Sequence, residues 1–253
     1  MNNHRKLLIA GASSDIGFEL IKRLAAFPEW KIGLHCFRGR KRLENYLKTL
    51  SMHDKNINIF ECDLSTQTNS HQLVDNFVKW AGDINGLLQL TGDVATNSNW
   101  LNLKESSWNK DIAVNLSAPF FLAQKAFSYM QQEKKGGHII FTSTASAKHG
   151  GGKMTLAYTT AKAGIECLTK GLARSGAPYG ILVNAIAPGF IDTRFHKDRL
   201  GKNEDTLLER AKMVPLKRAG KPEDIARMVE YLLLDGGNYI TGEVITISGG
   251  DWL

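Results

Sequence analysis

Membrane-length apolar segments are absent from this chain: no apolar run approaches the roughly 20 residues that a spanning helix requires. Basic residues interleaved with aromatics are also absent. Lysine and arginine outnumber the acids 32 to 25, a net charge of +7, yet without that interleaving the excess argues for anionic ligands and against nucleic acid. Cysteine is scarce. Cys36, Cys62 and Cys167 are odd in number and lack metal-ligand spacing, which predicts a reduced, cytoplasmic setting and three small side chains that are buried or half-buried. There is no linker rich in proline, glycine or serine, no repeat and no low-complexity tract, so 253 residues read as one α/β domain, 1–253. The basic His4, Arg5 and Lys6 precede an apolar stretch that a turn cuts after Ala10, too short for the core of a signal peptide.

What is present is an alternation of short apolar runs with amphipathic stretches. Strands are predicted over Lys6–Ala10, Lys31–Phe37, Ile57–Glu61, Gly86–Leu90, His138–Ser143, Ile181–Ala187 and Val244–Ile247. Amphipathic crossovers between them imply a parallel sheet with helices on both faces. The first strand runs into Gly11-Ala-Ser-Ser-Asp-Ile-Gly17, after which Phe18, Leu20, Ile21, Leu24 and Ala25 recur at helical spacing. Strand, glycine-rich turn and helix form the context of a dinucleotide site, in which the backbone approaches a pyrophosphate and the helix N-terminus offers it free N–H groups. An ordinary tight turn would look similar. Farther on, Tyr158 and Lys162 stand one helical turn apart, so an ammonium lies near a phenol. A phenol titrates near 10 and is a poor base at neutral pH. A neighbouring positive charge is expected to lower that value and suit the group to proton transfer with an alcohol or carbonyl oxygen.

Together these segments resemble the short-chain dehydrogenase/reductase family, whose motifs are Thr-Gly-x-x-x-Gly-x-Gly and Tyr-x-x-x-Lys. The resemblance covers nearly the whole chain and implies a single Rossmann-like, doubly wound parallel sheet. It implies that Gly11, Ser13, Ser14, Asp15, Ile16 and Gly17 meet the cofactor, with Asp63 and Leu64 at the adenine and Gly92 beside the cofactor. Asn184–Thr193 matches the segment that closes over the nicotinamide, bringing in Pro188, Gly189, Ile191 and Thr193. It also implies that Tyr158 exchanges the proton, that Lys162 binds the nicotinamide ribose, and that Asn115 holds a relay water. The family's substrate-polarising serine has no clean match. Aligning the fifth strand puts Thr144 there, with Ser143 and Ser146 as the other candidates. A threonine hydroxyl has the same donor and acceptor capacity.

Two further departures stand out. Asp15 replaces the middle glycine and is expected to cap the helix while pointing away from the pyrophosphate. Gln89-Leu-Thr-Gly92 replaces Asn-Asn-Ala-Gly, removing asparagines that brace the central strands. The second strand ends without a carboxylate until Glu44 and carries Arg38, Arg40, Lys41 and Arg42. That cluster favours the 2′-phosphate of NADP(H), with Arg38 as the main contact and Ser14 assisting.

Pro188–Thr193, Pro215–Arg218 and Ser248–Gly250 most resemble 3-oxoacyl-acyl-carrier-protein reductases, of fatty acid biosynthesis. The expected activity is reduction of a 3-oxoacyl thioester, small or carrier-bound. The alternatives are a sugar, polyketide or other ketone as substrate, or an NADP(H)-binding protein without turnover. The family implies that residues 193–214 form a substrate lid, where the plain reading is a solvated excursion. Phe195 and Met213 are the candidates to line a pocket there, with simple packing as the alternative. The family implies a homotetramer assembled through the helices carrying Asn115 and Tyr158.

Overall fold

The computed structural model describes residues 5–50, 56–95, 98–251 and 253; His4 lies outside them. Seven parallel strands form one sheet in the order β3-β2-β1-β4-β5-β6-β7. They are β1 Lys6–Ala10, β2 Lys31–Cys36, β3 Ile57–Glu61, β4 Gly86–Gln89, β5 Gly137–Thr142, β6 Ile181–Pro188 and β7 Val244–Ile247. Leu7, Leu8, Ile9 and Ala10 are all fully buried, as a strand covered on both faces requires. The expected strands overran at Phe37, Leu90 and Ser143. At each of these the chain leaves the sheet at the carboxyl edge, and Phe37 is exposed.

The helices are α1 Asp15–Leu24, α2 Arg40–Leu47, α3 Gln67–Ala81, α4 Glu105–Ile112, α5 Ala118–Glu133, α6 Leu156–Gly176, α7 Arg194–Asp198, α8 Glu204–Met213 and α9 Pro222–Leu233. Two apolar layers sandwich the sheet. One joins Leu73, Phe77, Leu122, Met130 and Ile165, from α3, α5 and α6, to the sheet. The other joins Leu20, Leu24, Leu43, Ile225 and Leu232, from α1, α2 and α9, to the opposite face. The strand order reverses between β1 and β4, opening a crevice beyond their carboxyl ends.

Cys36 is buried and Cys62 half-buried, but Cys167 is exposed, contrary to the expectation. It sits on the outer stripe of α6 with the exposed Ala163 and Lys170, one or two helical steps away on the same face.

Candidate active site

The crevice is a cleft of about 920 Å³ running from the glycine-rich turn to the lid. At its floor Gly11 has φ +83°, and a Cβ there would stand 2.8 Å from the Thr91 nitrogen. A Cβ on Gly17 would stand 2.4 Å from the Ala12 carbonyl oxygen. Both positions therefore require glycine. Ser14 caps α1, accepting the Gly17 N–H at 3.0 Å. This corrects the expectation that Asp15 is the cap. The Asp15 carboxylate turns sideways, accepting from Arg42 at 2.7 Å and from the Arg194 backbone at 2.7 Å. Its hydrogen-bond partners are thus arginine groups of α2 and α7 and not the turn's own N–H groups.

His35, which the sequence did not single out, holds the turn from below. Its Nδ1 accepts the Gly11 N–H at 3.3 Å, and its Nε2–H donates to the Cys62 carbonyl at 3.0 Å. Burial lowers its pKa to about 4, so the ring is neutral and can keep accepting.

The basic cluster after β2 divides. Arg38 faces the cleft with its guanidinium 4.6 Å from the Phe37 ring centroid. Arg42 also faces the cleft, over Phe18 at 4.2 Å, with its charge engaged by Asp15 and the Ser13 carbonyl. Arg40 turns away to Glu44, Glu61 and the Ile59 carbonyl. Asp63 and Leu64 line the same end, where Asp63 accepts the Ser65 N–H at 2.9 Å.

The next part of the wall is built on a widened helical turn. Ala113–Ser117 joins α4 to α5 as a π-turn, with the Ala118 N–H reaching the Ala113 carbonyl. Pro119 has no N–H for the carbonyl of Asn115 four residues earlier, so the ordinary ladder cannot run there. Asn115, in this turn, is fully buried. It clasps the segment after β4, donating to the Asp93 carbonyl at 2.7 Å and accepting the Asp93 N–H at 3.1 Å. Asp111, one turn earlier, accepts the Ala95 N–H at 2.7 Å. The bracing expected to be lost with the missing asparagines is supplied differently. Buried Gln89 donates its side-chain amide to the Thr91 carbonyl at 3.0 Å, while Thr142 donates to the Gln89 carbonyl at 2.8 Å.

Tyr158, Lys162, Thr144, Ser143 and Gly92 converge at mid-cleft. The Lys162 Nζ is buried, donates to the carbonyls of Thr142 at 2.9 Å and Thr91 at 3.2 Å, and lies 5.7 Å from the Tyr158 ring centroid. Burial lowers its pKa to about 7. The Tyr158 pKa is not lowered, as the sequence suggested, but raised. Burial pushes it to about 12, the Thr144 hydrogen bond opposes the rise and the Asp111 carboxylate adds to it. The Lys162 nitrogen lies beside the ring, but desolvation sets the direction of the phenol's shift. At neutral pH the group is therefore a protonated acid, the form that donates. Thr144 reaches the phenol and also accepts the Ser146 N–H at 3.3 Å. Ser143 turns into α6, where its hydroxyl meets Glu166 at 2.9 Å and the Lys162 carbonyl at 3.1 Å.

Pro188, Gly189, Ile191 and Thr193 line the far wall, and Phe195 of the lid stands 6.0 Å from Tyr158, ring to ring. Met213 is 72% exposed and does not line the cleft, because α8 turns that face to solvent. The cleft fits a nicotinamide dinucleotide on two local grounds. The first-turn N–H groups of α1 open onto it. Gly92 presents a bare backbone toward Lys162, with the position of a Cβ lying 3.6 Å from its Nζ.

A sequence profile described as enoyl-(acyl carrier protein) reductase matches residues 11–251. The chain is 30% identical to a probable 2,4-dienoyl-CoA reductase of Bacillus subtilis, covering 98% of this chain and 97% of that protein. It is 28% identical to a 3-oxoacyl-[acyl-carrier-protein] reductase of Staphylococcus epidermidis, covering 99% and 100%. Among solved structures, a short-chain dehydrogenase/reductase from Serratia marcescens aligns with a TM-score of 0.87 at 27% identity, covering 98% of this chain and 97% of that one.

Proposed function

Since the chain belongs to the short-chain dehydrogenase/reductase family of oxidoreductases, we propose that it reduces the ketone of a 3-oxoacyl thioester to a secondary alcohol with NADPH. The observation that carries this reading is the convergence of a protonated Tyr158, the Thr144 hydroxyl and Lys162 beside a dinucleotide-sized crevice. The names of the two curated relatives, both reductases of thioester-borne acyl groups, favour that substrate class.

In this mechanism a bound nicotinamide supplies the hydride to the carbonyl carbon. Thr144 orients the carbonyl oxygen by donating to it, and Tyr158 donates the proton that the forming alkoxide takes up. Lys162 positions the ribose and, through its carbonyl contacts, fixes Thr91 and Thr142 on either side of the floor. Asn115 holds the Asp93 segment that walls the pocket. Arg38 meets the 2′-phosphate as a planar, multidentate donor. The test is NADPH oxidation with acetoacetyl-CoA as probe, in parallel with sugar and polyketide ketones. Turnover of the thioester should exceed the others and should collapse in Tyr158→Phe, which keeps cofactor binding. Turnover confined to a sugar or polyketide ketone would overturn the substrate assignment. Cofactor binding without turnover of any ketone would point to a binding protein.

The reading extends to assembly and location. No helix of the described residues is long and apolar enough to cross a membrane, and we place the protein in the cytoplasm. We infer a homotetramer built on α5 and α6, with two kinds of two-fold interface. Light scattering after size exclusion checks it, and a monomer mass at micromolar concentration would refute it.

A further inference from the structure

Apolar packing holds the lid only in part: Phe195 and His196 are half-buried against Tyr158 and Phe190, and Val214 is buried at its far end. Neither α7 nor α8 contributes a buried residue. Three of the lid's arginines reach aspartates on three different walls of the cleft. Arg194 pairs with Asp15 at 3.1 Å, Arg199 with Asp93 at 3.2 Å, and Arg210 with Asp251. The first pair differs from the other two. The Asp15 carboxylate receives the Arg194 backbone N–H on Oδ2 at 2.7 Å, and the Arg194 Nε and an Arg42 nitrogen on Oδ1 at 3.1 and 2.7 Å. The Arg194 N–H opens α7 and has no acceptor within that helix. A residue 179 positions away in sequence therefore caps the lid. Asp15 is also the first residue of α1, next to the serine that caps it. Arg42 in turn grips the Ser13 carbonyl at 2.7 Å.

We propose that Asp15 is a positioning residue that fastens the first turn of the lid to the cofactor-binding turn, so that lid closure and cofactor retention are coupled. It touches no reacting atom. Its carboxylate takes charge-assisted bonds from α2 and α7 while standing in α1, so displacement of the turn displaces the lid, and the reverse. Asp15 thus does work that a glycine at the same position has no side chain to do. The pair is partly open to solvent, with side-chain exposures of 20% and 51%, so the coupling is modest and salt-sensitive.

The inference rests on the reading that a nicotinamide cofactor occupies the turn, and its test keeps the two apart. Trypsin cleavage after Lys197, Arg199 and Lys202 reports lid opening and needs no ligand or substrate. Stopped-flow release of NADPH reports retention. Asp15→Ala should accelerate both, by about tenfold for the loss of a charge-assisted contact, in a protein that remains folded by circular dichroism. Asp15→Asn, which keeps an oxygen for the Arg194 N–H, should fall between wild type and Asp15→Ala. Arg194→Ala should accelerate both more weakly, and the double variant should match Asp15→Ala alone, because the two act through one contact. Arg42→Ala should change NADPH affinity without opening the lid as Asp15→Ala does. Unchanged lid cleavage in Asp15→Ala, or additive effects in the double variant, would overturn the proposal. If Asp15→Ala does not fold, Arg194→Ala decides alone, and wild-type cleavage and release in it overturn the proposal. Failure of wild type to bind either nicotinamide cofactor overturns the cofactor reading, and with it the coupling.

Discussion

Replacing Thr144 by valine removes one hydroxyl and keeps the volume and branching of the side chain. Two contacts go with it: the bond to the Tyr158 phenol and the acceptor for the Ser146 N–H at 3.3 Å. The second is long and lies in a short turn, so its loss costs on the order of 1 kcal/mol of stability. The first is the one that matters to turnover. A preorganised donor aimed at a developing oxyanion is worth about 10²–10³ in kcat, and the phenol loses the one contact that opposes its rise. We expect kcat to fall about a hundredfold or more in Thr144→Val, with NADPH binding unchanged. Thr144→Ser should retain most of it, since the hydroxyl survives. Ser143→Ala provides the contrast. Its hydroxyl is spent on Glu166 and the Lys162 carbonyl, so that change should lower the melting temperature and leave kcat near wild type. Steady-state kinetics with acetoacetyl-CoA and NADPH, alongside cofactor titration, distinguish these outcomes. A Thr144→Val enzyme with near-normal kcat, beside a Ser143→Ala enzyme that has lost it, would refute the assignment.

Arg38→Asp should weaken NADPH by about tenfold or more, the worth of a charge-assisted bond, and leave NADH binding little changed; titration of both cofactors checks it, and a wild-type preference for NADH would sink the argument. Asp111→Asn removes a charge that raises the Tyr158 pKa, so the alkaline limb of the reduction profile should move to lower pH. His35 and His138 are buried with pKa values lowered to about 4 from 6.5. The unfolded chain binds more protons in that interval, so stability should fall as pH drops from 6.5 toward 4; urea midpoints that stay flat across the interval would contradict this.

The central strand Lys6–Ala10 was legible because a parallel strand buried on both faces writes a continuous apolar run. The half-buried edge strands Ile57–Glu61 and Val244–Ile247 also begin and end where the sequence put them, as short apolar-rich runs. Where the ends slipped, at Phe37, Leu90 and Ser143, the residues belong to the cleft edge and follow its demands. The glycine-rich turn, Tyr158 and Lys162 were legible because their spacing is local. The partner of Asp15 was not, since Arg194 meets it only after the chain has wound through the whole fold. Nor was the direction of the Tyr158 shift, which depends on how deeply the phenol is enclosed. His35 gave no local signal either. Its role comes from the register that sets Ala10 beside it across β1 and β2. Pro119 did carry a readable signal: a proline four residues after Asn115 in an otherwise helical stretch forecasts a widened turn.

Lys162 has a consequence for the energetics of loading the cleft. Burial lowers its pKa to about 7, so the amine gives up its charge far more readily than a surface lysine, and its two carbonyl acceptors need only the two hydrogens that a neutral amine still carries. Arrival of an anionic nucleotide favours the third hydrogen. Loading therefore draws a fraction of a proton from the buffer. The measured heat of association then contains the buffer's own ionisation heat, and apparent affinity strengthens as the medium is acidified through neutrality. A lysine placed in water would show neither effect, because it would already be fully charged before the nucleotide arrived.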